Sequence, residues 1–203
     1  MGKSRSRRDN NLRLHIAYLA ARLMAEDGVM DFAAAKSKAA RQAGLADANL
    51  LPDNQEIEAA LREYQELYQK DEQPLHLRRL REVAVRVMRE FASFRPVLVG
   101  PVLSGTAGQH SEVSLKLYTD DVKSLQLFLL NRRLRFEEGS RRLRRGDRWI
   151  EAPVIRLEID DAIVAMTVLD PDDERSTARR DEEGPAQRAR LADVEALLAS
   201  PPP

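Results

Sequence analysis

The periodicity of the apolar residues changes once along the chain, near residue 95, and this change constrains the fold most strongly. Before it, apolar side chains recur at intervals of three and four residues, the spacing that places them on one face of an α-helix. From Val97 onward they alternate with polar residues and are often β-branched, as in half-buried strands. We therefore expect an α+β protein in which an N-terminal helical layer packs on a mixed β-sheet.

The first 95 residues divide into a basic arm and a helical region. Residues 1–11 carry four basic side chains and no apolar residue after Met1, a composition that predicts a disordered arm. Residues 12–95 contain four amphipathic stretches, each predicting a helix. Asp31 is placed to cap the second helix, and Asp53 with Glu56 has capping-box spacing at the start of the third.

Residues 96–170 carry the sheet pattern, and residues 171–203 an acidic loop, a short helix and a proline tail. Asp160 and Asp161 form a predicted tight turn between two strands. A helix is predicted from Val122 to Arg133. The expected strands are residues 97–103, 113–117, 134–138, 141–145, 154–159 and 163–169.

Composition excludes several classes of protein. The chain has no cysteine and three histidines, which leaves no disulfide framework and no thiolate metal site. We expect a cytoplasmic protein that does not enter a membrane, because no apolar run approaches the ~18 residues of a spanning helix. Lysine plus arginine and aspartate plus glutamate each number 33, so any charged binding surface is local.

The segment from Phe94 to Tyr118 combines a hydrophobic strand, a turn of small residues and a strand with one polar face. Small residues let backbone N–H groups approach a phosphate, and two residues separated by one position on a strand, such as Glu112 and Ser114, point to the same side. The pattern resembles the nucleotidyltransferase (polymerase β-like) superfamily, in which a small-residue turn precedes a strand that presents an Asp-x-Asp pair.

The resemblance implies a site on named residues of this chain. Its nucleotide-binding turn would comprise Ser104, Gly105, Thr106, His110 and Ser111. Its catalytic and metal-binding set would comprise Glu112, Ser114, Glu158 and Asp160, with Mg²⁺ held by Glu112. Serine replaces the family's second aspartate, and the strand expected to carry a third acid offers none. The resemblance therefore implies a nucleotidyltransferase-like protein that binds nucleotide or RNA and has weak or no transferase activity.

The whole chain also resembles a group of proteobacterial proteins related to nucleotidyltransferases. Four segments carry this likeness: residues 20–28, 35–44, 51–61 and 94–100. It implies the same family and no particular activity.

A second candidate site is an arginine-rich hairpin. Between Arg132 and Arg148 eight arginines face three acids, a local charge of +5, with Phe136 and Trp149 close by. Arginine can hold phosphate through two hydrogen bonds and an exposed aromatic ring can stack on a base, so the hairpin is a candidate RNA-binding surface. Its central residues are Arg141, Arg142, Arg144 and Arg145. The alternative is a solvated hairpin that pairs with the acidic residues of 170–183.

Three functions remain open from sequence: a nucleotidyltransferase-like protein, an RNA-binding protein without catalysis, and a catalytically inactive module that binds another protein. The incomplete acid set favours the catalytically inactive module.

Overall fold

The computed structural model describes residues 2–44, 50–145, 148–176 and 188–199. It confirms the α+β class, with the first helices at the N-terminus and a five-stranded mixed sheet after them. The chain divides into two compact units. Unit 1 comprises Met1–His76 and Thr106–Ser111, and unit 2 comprises Leu77–Gly105 and Glu112–Pro203.

Unit 1 is helical. Its elements are α1 (Gly2–Glu26), α2 (Phe32–Gln42), α3 (Asn54–Tyr68) and the first turn of α4 (Gln73–Glu90). The first helix begins at Gly2, whereas the sequence pattern predicts a disordered arm up to residue 11. The arm contains no proline, and lysine and arginine are good helix formers, so a helix that has nucleated farther along extends through it at one hydrogen bond per residue.

The two predicted helix caps in unit 1 are confirmed. The Asp31 carboxylate accepts a hydrogen bond from the amide of Ala34 at 2.7 Å. Asp53 and Glu56 form a reciprocal capping box, in which each side chain accepts from the other residue's amide, at 2.7 and 2.8 Å. These bonds satisfy amides that a helix N-terminus otherwise leaves without a partner.

Small side chains let α1 pack closely on its neighbours in unit 1. Ile16 and Ala20 of α1 are fully buried with Ala35 and Ala39 of α2 and with Ile57 of α3. Burial of these apolar side chains is the main favourable contribution to the stability of the helical unit.

A buried tyrosine joins α3 to α1. The Tyr64 hydroxyl donates a hydrogen bond to the Glu26 carboxylate, and its ring lies 6.0 Å from that of Tyr18 and 4.7 Å from that of Tyr68. The pKa of Tyr64 is raised to about 12, mainly by the hydrogen bond to Glu26 and secondly by burial. The hydroxyl therefore stays protonated through the physiological range.

Unit 2 contains the sheet. Its strands are β1 (Val97–Val99), β2 (Val113–Tyr118), β3 (Phe136–Arg145), β4 (Arg148–Ile159) and β5 (Ala162–Leu169). The order is β1-β2-β5-β4-β3, with β2 and β5 parallel and every other pair antiparallel. One side of the sheet carries Leu98, Leu115, Leu117 and Met166, which are almost fully buried.

Three of the observed strands differ clearly from the predicted ones, and one of them, β4, begins at Arg148 rather than at residue 154. The first strand ends at Val99, and residues Pro101–Ser104 form a short helix, α5, because proline at its first position has a φ suited to a helix and no amide to donate to a ladder. The two strands predicted between residues 134 and 145 are one continuous strand, β3, in which Gly139 pairs with Val154 across the ladder.

The remaining helices of unit 2 are α4 beyond its first turn, α6 (Val122–Asn131), α7 (Asp173–Ser176) and α8 (Leu191–Ala199). Just before α8, Ala189 exchanges two backbone hydrogen bonds with Leu98, at 2.8 and 3.0 Å, so this segment lies on the outer edge of β1. Part of the acidic stretch predicted as a loop, from residue 170 to 183, is helical, because Asp173–Ser176 form α7. The rest of that stretch from residue 177, and the proline tail, lie outside the described residues.

The tight turn between β4 and β5 is confirmed, and α4 holds it. Asp160 and Asp161 both have left-handed backbone conformations, with φ of 50° and 58°. Arg86 forms an ion pair with the Asp160 carboxylate, and Arg79 donates to the Asp160 carbonyl at 2.5 Å and to the Asp161 carboxylate at 3.2 Å. The two arginines compensate for a conformation that aspartate adopts at some cost.

The turn can be tested with two variants that both remove the Asp161 carboxylate. We expect Asp161→Gly to be more stable than Asp161→Ala by about 1 kcal/mol, because only glycine adopts a positive φ without strain. Chemical denaturation followed by circular dichroism measures the difference. Equal stabilities, or a more stable alanine variant, would show that the turn is not left-handed at this residue.

Candidate functional site

The residues predicted to form one nucleotide site fall in both units. Unit 1 contains Thr106, His110 and Ser111. Unit 2 contains Ser104, Gly105, Glu112, Ser114, Glu158 and Asp160, together with the four arginines of the hairpin.

Ser114 lies on a cross-strand row that also contains an arginine. It pairs with Ala165 of β5, which pairs with Arg156 of β4, which pairs with Glu137 of β3. Paired residues on neighbouring strands point to the same side of a sheet. Ser114 and Arg156 therefore share one face, about 10 Å apart at their Cα atoms, with the small side chain of Ala165 between them.

Arg156 is the charged partner of Glu112. Its Nε lies 3.5 Å from the Glu112 Oε1, and the Arg156 and Glu112 side chains are 37% and 23% exposed. Gly139 of β3 lies next to the guanidinium: a Cβ built on this glycine would be in ordinary van der Waals contact with the Arg156 Nη1, at 3.5 Å. Sequence patterns gave no signal for this pair, since Arg156 follows Glu112 by more than forty residues.

The surroundings of Glu112 do not fit a magnesium site. Mg²⁺ requires several oxygen ligands, and two-metal catalysis requires carboxylates that bridge the ions. Here Glu112 faces a guanidinium, and Ser114 offers only a neutral hydroxyl. Glu158 is paired with Ile163, whose side chain stands on the same face between Glu158 and β2. The described residues include no group of three or more histidines or carboxylates placed to hold a metal.

Asp160 has different partners from Glu112. Its carboxylate pairs with Arg86, and its carbonyl accepts from Arg79, so it takes part in the contact between α4 and the β4–β5 turn. The two acids that the sequence offered as a joint metal site are thus engaged by different arginines.

The turn of small residues ends α5 and is held by Arg81. Gly105 has a φ of 90°, and the Arg81 guanidinium donates to the carbonyls of Val102 at 3.1 Å and Leu103 at 3.4 Å. Burial lowers the pKa of Arg81. The turn at Ser104 and Gly105 is therefore the C-terminal end of α5.

A different glycine lies beside Ser114. A Cβ built on Gly100 would be 3.7 Å from the Ser114 Cβ, and Gly100 has a φ of 74°. The Gly-Pro pair at residues 100 and 101 is the sequence signal for this backbone bend, because glycine supplies the positive φ before a helix that begins with proline.

The segment Thr106–Ser111 is anchored within unit 1. The Gln65 and Gln73 side chains donate to the carbonyls of Thr106 and Ala107, each at 3.0 Å. The Ser111 hydroxyl accepts from the amide of Gly108, also at 3.0 Å.

His110 packs against Gly28. A Cβ built on Gly28 would lie 2.9 Å from the His110 Cδ2, and Gly28 has a φ of 66°. The contact gives His110 a packing role in unit 1.

This contact leads to a double-mutant prediction. We expect Gly28→Ala to destabilise the protein by about 2 kcal/mol, through a left-handed alanine and a steric clash with the imidazole. Adding His110→Ala should restore part of the loss, because it removes the clash and leaves the backbone strain. Thermal unfolding of the two single variants and the double variant measures the coupling. Additive losses would show that the two residues are not in contact.

The arginine hairpin extends beyond the sheet. β4 pairs with β5 only from Val154 onward, whereas it pairs with β3 along its whole length. Residues 140–145 and 148–153 thus have ladder partners only in each other, and we call this two-stranded segment the ribbon. It carries Arg141, Arg142 and Arg148 as exposed side chains.

The described arginines of the ribbon are not held in ion pairs by described acids, although Glu151 stands opposite Arg142 in the ladder. Arg141, Arg142 and Arg148 form no ion pair with a carboxylate in the described part of the chain. The Arg142 Cζ instead lies 4.9 Å from the centroid of the Trp149 ring. The Ser140 hydroxyl is hydrogen-bonded to Glu151, the one acid of the ribbon that the structure describes. The side chains of Arg144 and Arg145 and the acidic residues after 176 lie outside the described residues.

Comparison with known proteins yields no relative: no protein-family model, no curated protein and no solved structure matches the chain. Among the described helices, none combines the length and the apolar character needed to cross a membrane.

Proposed function

We propose that the protein binds RNA through the ribbon and does not transfer nucleotides. The observation that carries this proposal is the two-stranded extension beyond the sheet, on which Arg141, Arg142 and Arg148 are exposed and form no ion pair with a described acid. Its residues 140–153 contain five arginines and two acids, a charge of +3 on a segment that a long ligand reaches without entering a cleft.

Electrostatics supports a polyanionic ligand at the ribbon in spite of the neutral total. Interactions between exposed charges are screened beyond about 8–10 Å at physiological salt, so a ligand responds to the local charge. Arginine forms two parallel hydrogen bonds with a phosphate, and such contacts supply most of the sequence-independent affinity for nucleic acid. Glu174, an acid of unit 2, is already paired with Arg95 at 3.1 Å.

We further propose that the chain is a non-catalytic relative of the nucleotidyltransferases. The shared face of Glu112, Ser114 and Glu158 supports kinship, since that is where strand neighbours would carry a metal-binding set. The guanidinium of Arg156 beside Glu112 supports loss of the metal.

The ribbon is tested by replacing its described arginines together. We expect the triple variant Arg141→Ala, Arg142→Ala, Arg148→Ala to bind a fluorescein-labelled RNA at least ~10-fold more weakly at low salt, because three phosphate contacts are lost. The slope of log affinity against log salt should fall by about 2, since each contact contributes about 0.7 for a single strand. Fluorescence anisotropy between 50 and 200 mM salt is the measurement.

A control variant removes the same charge elsewhere. Arg22, Arg62 and Arg78 are helix-surface arginines, each paired with a glutamate one turn away, at 3.9, 2.7 and 3.2 Å. Changing all three to alanine should leave the salt slope unchanged. RNA binding that is independent of salt, or equal in the two triple variants, would contradict the proposal.

A second candidate function is nucleotide binding on the sheet face, favoured by the row that joins Ser114 to Arg156. Arginine contacts a phosphate directly, so we expect any binding of a nucleoside triphosphate to be the same within about 2-fold with Mg²⁺ and with EDTA. Isothermal titration calorimetry makes the comparison, and Arg156→Ala should abolish the signal.

Two outcomes of that titration have a clear meaning. A strict magnesium requirement that is lost in Glu112→Gln would restore the transferase interpretation. Absence of binding to both nucleotides and RNA would favour the remaining alternative, a module that binds another protein.

A further inference from the structure

We propose that Trp149 stacks on an unpaired base, which makes single-stranded RNA the ligand class of the ribbon. This inference rests on the proposed RNA-binding function and adds to it the feature of RNA that the ribbon recognises. Phosphate contacts by arginine attract single strands and duplexes alike, so the aromatic ring carries the distinction.

Trp149 is held on the ribbon with much of its ring accessible. It is the only tryptophan of the chain, it lies on β4 opposite Arg144 of β3, and it is 59% exposed. Large aromatic side chains usually bury most of their surface on folding, so an indole left in water at this level is unusual.

Arg142 covers one side of the indole and orients it. The Arg142 Cζ lies 4.9 Å from the ring centroid, within the range of a cation–π interaction. A guanidinium can occupy only one face of the ring, and the exposure of Trp149 leaves the other side accessible to a planar ligand. The pair is thus already ordered before RNA arrives, which lowers the conformational entropy lost on binding.

A base is the planar group that fits beside these charges. In single-stranded nucleic acid a base can stack on the free indole face while a neighbouring phosphate contacts Arg142, which lies on the same side of the ribbon as Trp149. Arg141 and Arg148 are exposed on the opposite side, where they can contact phosphates of a strand that passes around the ribbon edge. In a duplex the bases are already stacked on one another, and the major groove of A-form RNA is too deep and narrow for side chains to read. The rival is B-form DNA, whose major groove admits a two-stranded ribbon.

The single tryptophan makes its fluorescence a reporter of the stacking site. Four probes are titrated into the full-length protein: a 12-nucleotide oligouridylate, a 12-nucleotide oligoadenylate, a 12-base-pair RNA duplex and a DNA duplex of the same length. We expect saturable quenching of the Trp149 emission by the single strands and little quenching by the duplexes. Affinity for the single strands should exceed that for the duplexes.

Two substitutions of Trp149 separate stacking from charge. Loss of one stacked base corresponds to about 5- to 150-fold in affinity, so Trp149→Ala should weaken single-strand binding by at least 5-fold in anisotropy. Trp149→Phe keeps a ring and should retain most of the affinity. Tyr68→Ala is the matched control, because Tyr68 is 63% exposed but lies on α3 in unit 1, and it should change nothing.

These experiments separate base stacking by Trp149 from RNA binding by the ribbon. Single-strand binding without quenching, an unchanged affinity in Trp149→Ala, or tighter binding of either duplex would overturn the stacking role. If the arginine triple variant still binds more weakly in those cases, RNA binding at the ribbon stands and stacking alone fails. If neither the triple variant nor Trp149→Ala changes binding, both fail. Should Trp149→Ala not fold, the quenching titration of the native protein decides the question.

Discussion

The parallel pairing of β2 with β5 is the interaction on which the architecture of unit 2 depends. It brings together Val113–Tyr118 and Val164–Leu169 in unbroken register, although α6 and the whole β3–β4 hairpin lie between them in the chain. Parallel neighbours need a crossover connection, and here α6 and the β3–β4 hairpin form it. β4 pairs with β5 on the side away from β2, and β3 pairs with β4. This order places β3 at the sheet edge and lets the longer β3–β4 ladder extend past β5, which creates the ribbon.

Ion pairing decides which charged residues remain available for a ligand. On α4, Arg79 and Arg86 hold the left-handed turn at Asp160 and Asp161, while Arg89 contacts Glu195 of α8 at 2.6 Å. Exposed pairs of this kind contribute little stability individually, and their larger effect here is to orient neighbouring elements. Likewise, the residue predicted to hold Mg²⁺, Glu112, has the guanidinium of Arg156 as its charged partner. In the ribbon, Arg141, Arg142 and Arg148 form no ion pair with an acid in the described part of the chain.

Local rules predicted local features well and failed where a feature depends on distant partners. The capping box of Asp53 and Glu56 and the turn at Asp160 each depend on residues adjacent in sequence, so spacing alone identified them. The strand starting at Val97 was predicted too long, although Pro101 already indicated its end. Arg156 was not predicted to be a site residue, because its position on the same row as Ser114, two strands away, depends on strand order and register. The division of the predicted nucleotide turn between two units, with Gly105 in one and Thr106 in the other, was equally invisible.

The sequence by itself determined the α+β class, the change from helix to sheet near residue 95, and the chemistry excluded by a lack of cysteine. These follow from side-chain periodicity and composition, which act over a few residues. Only the tertiary structure decided that Glu112 faces a guanidinium, that Asp160 belongs to a turn held by α4, and that the arginine hairpin extends beyond the sheet with Trp149 exposed. Strand order and register set these placements, and both arise from the packing of segments far apart in the chain.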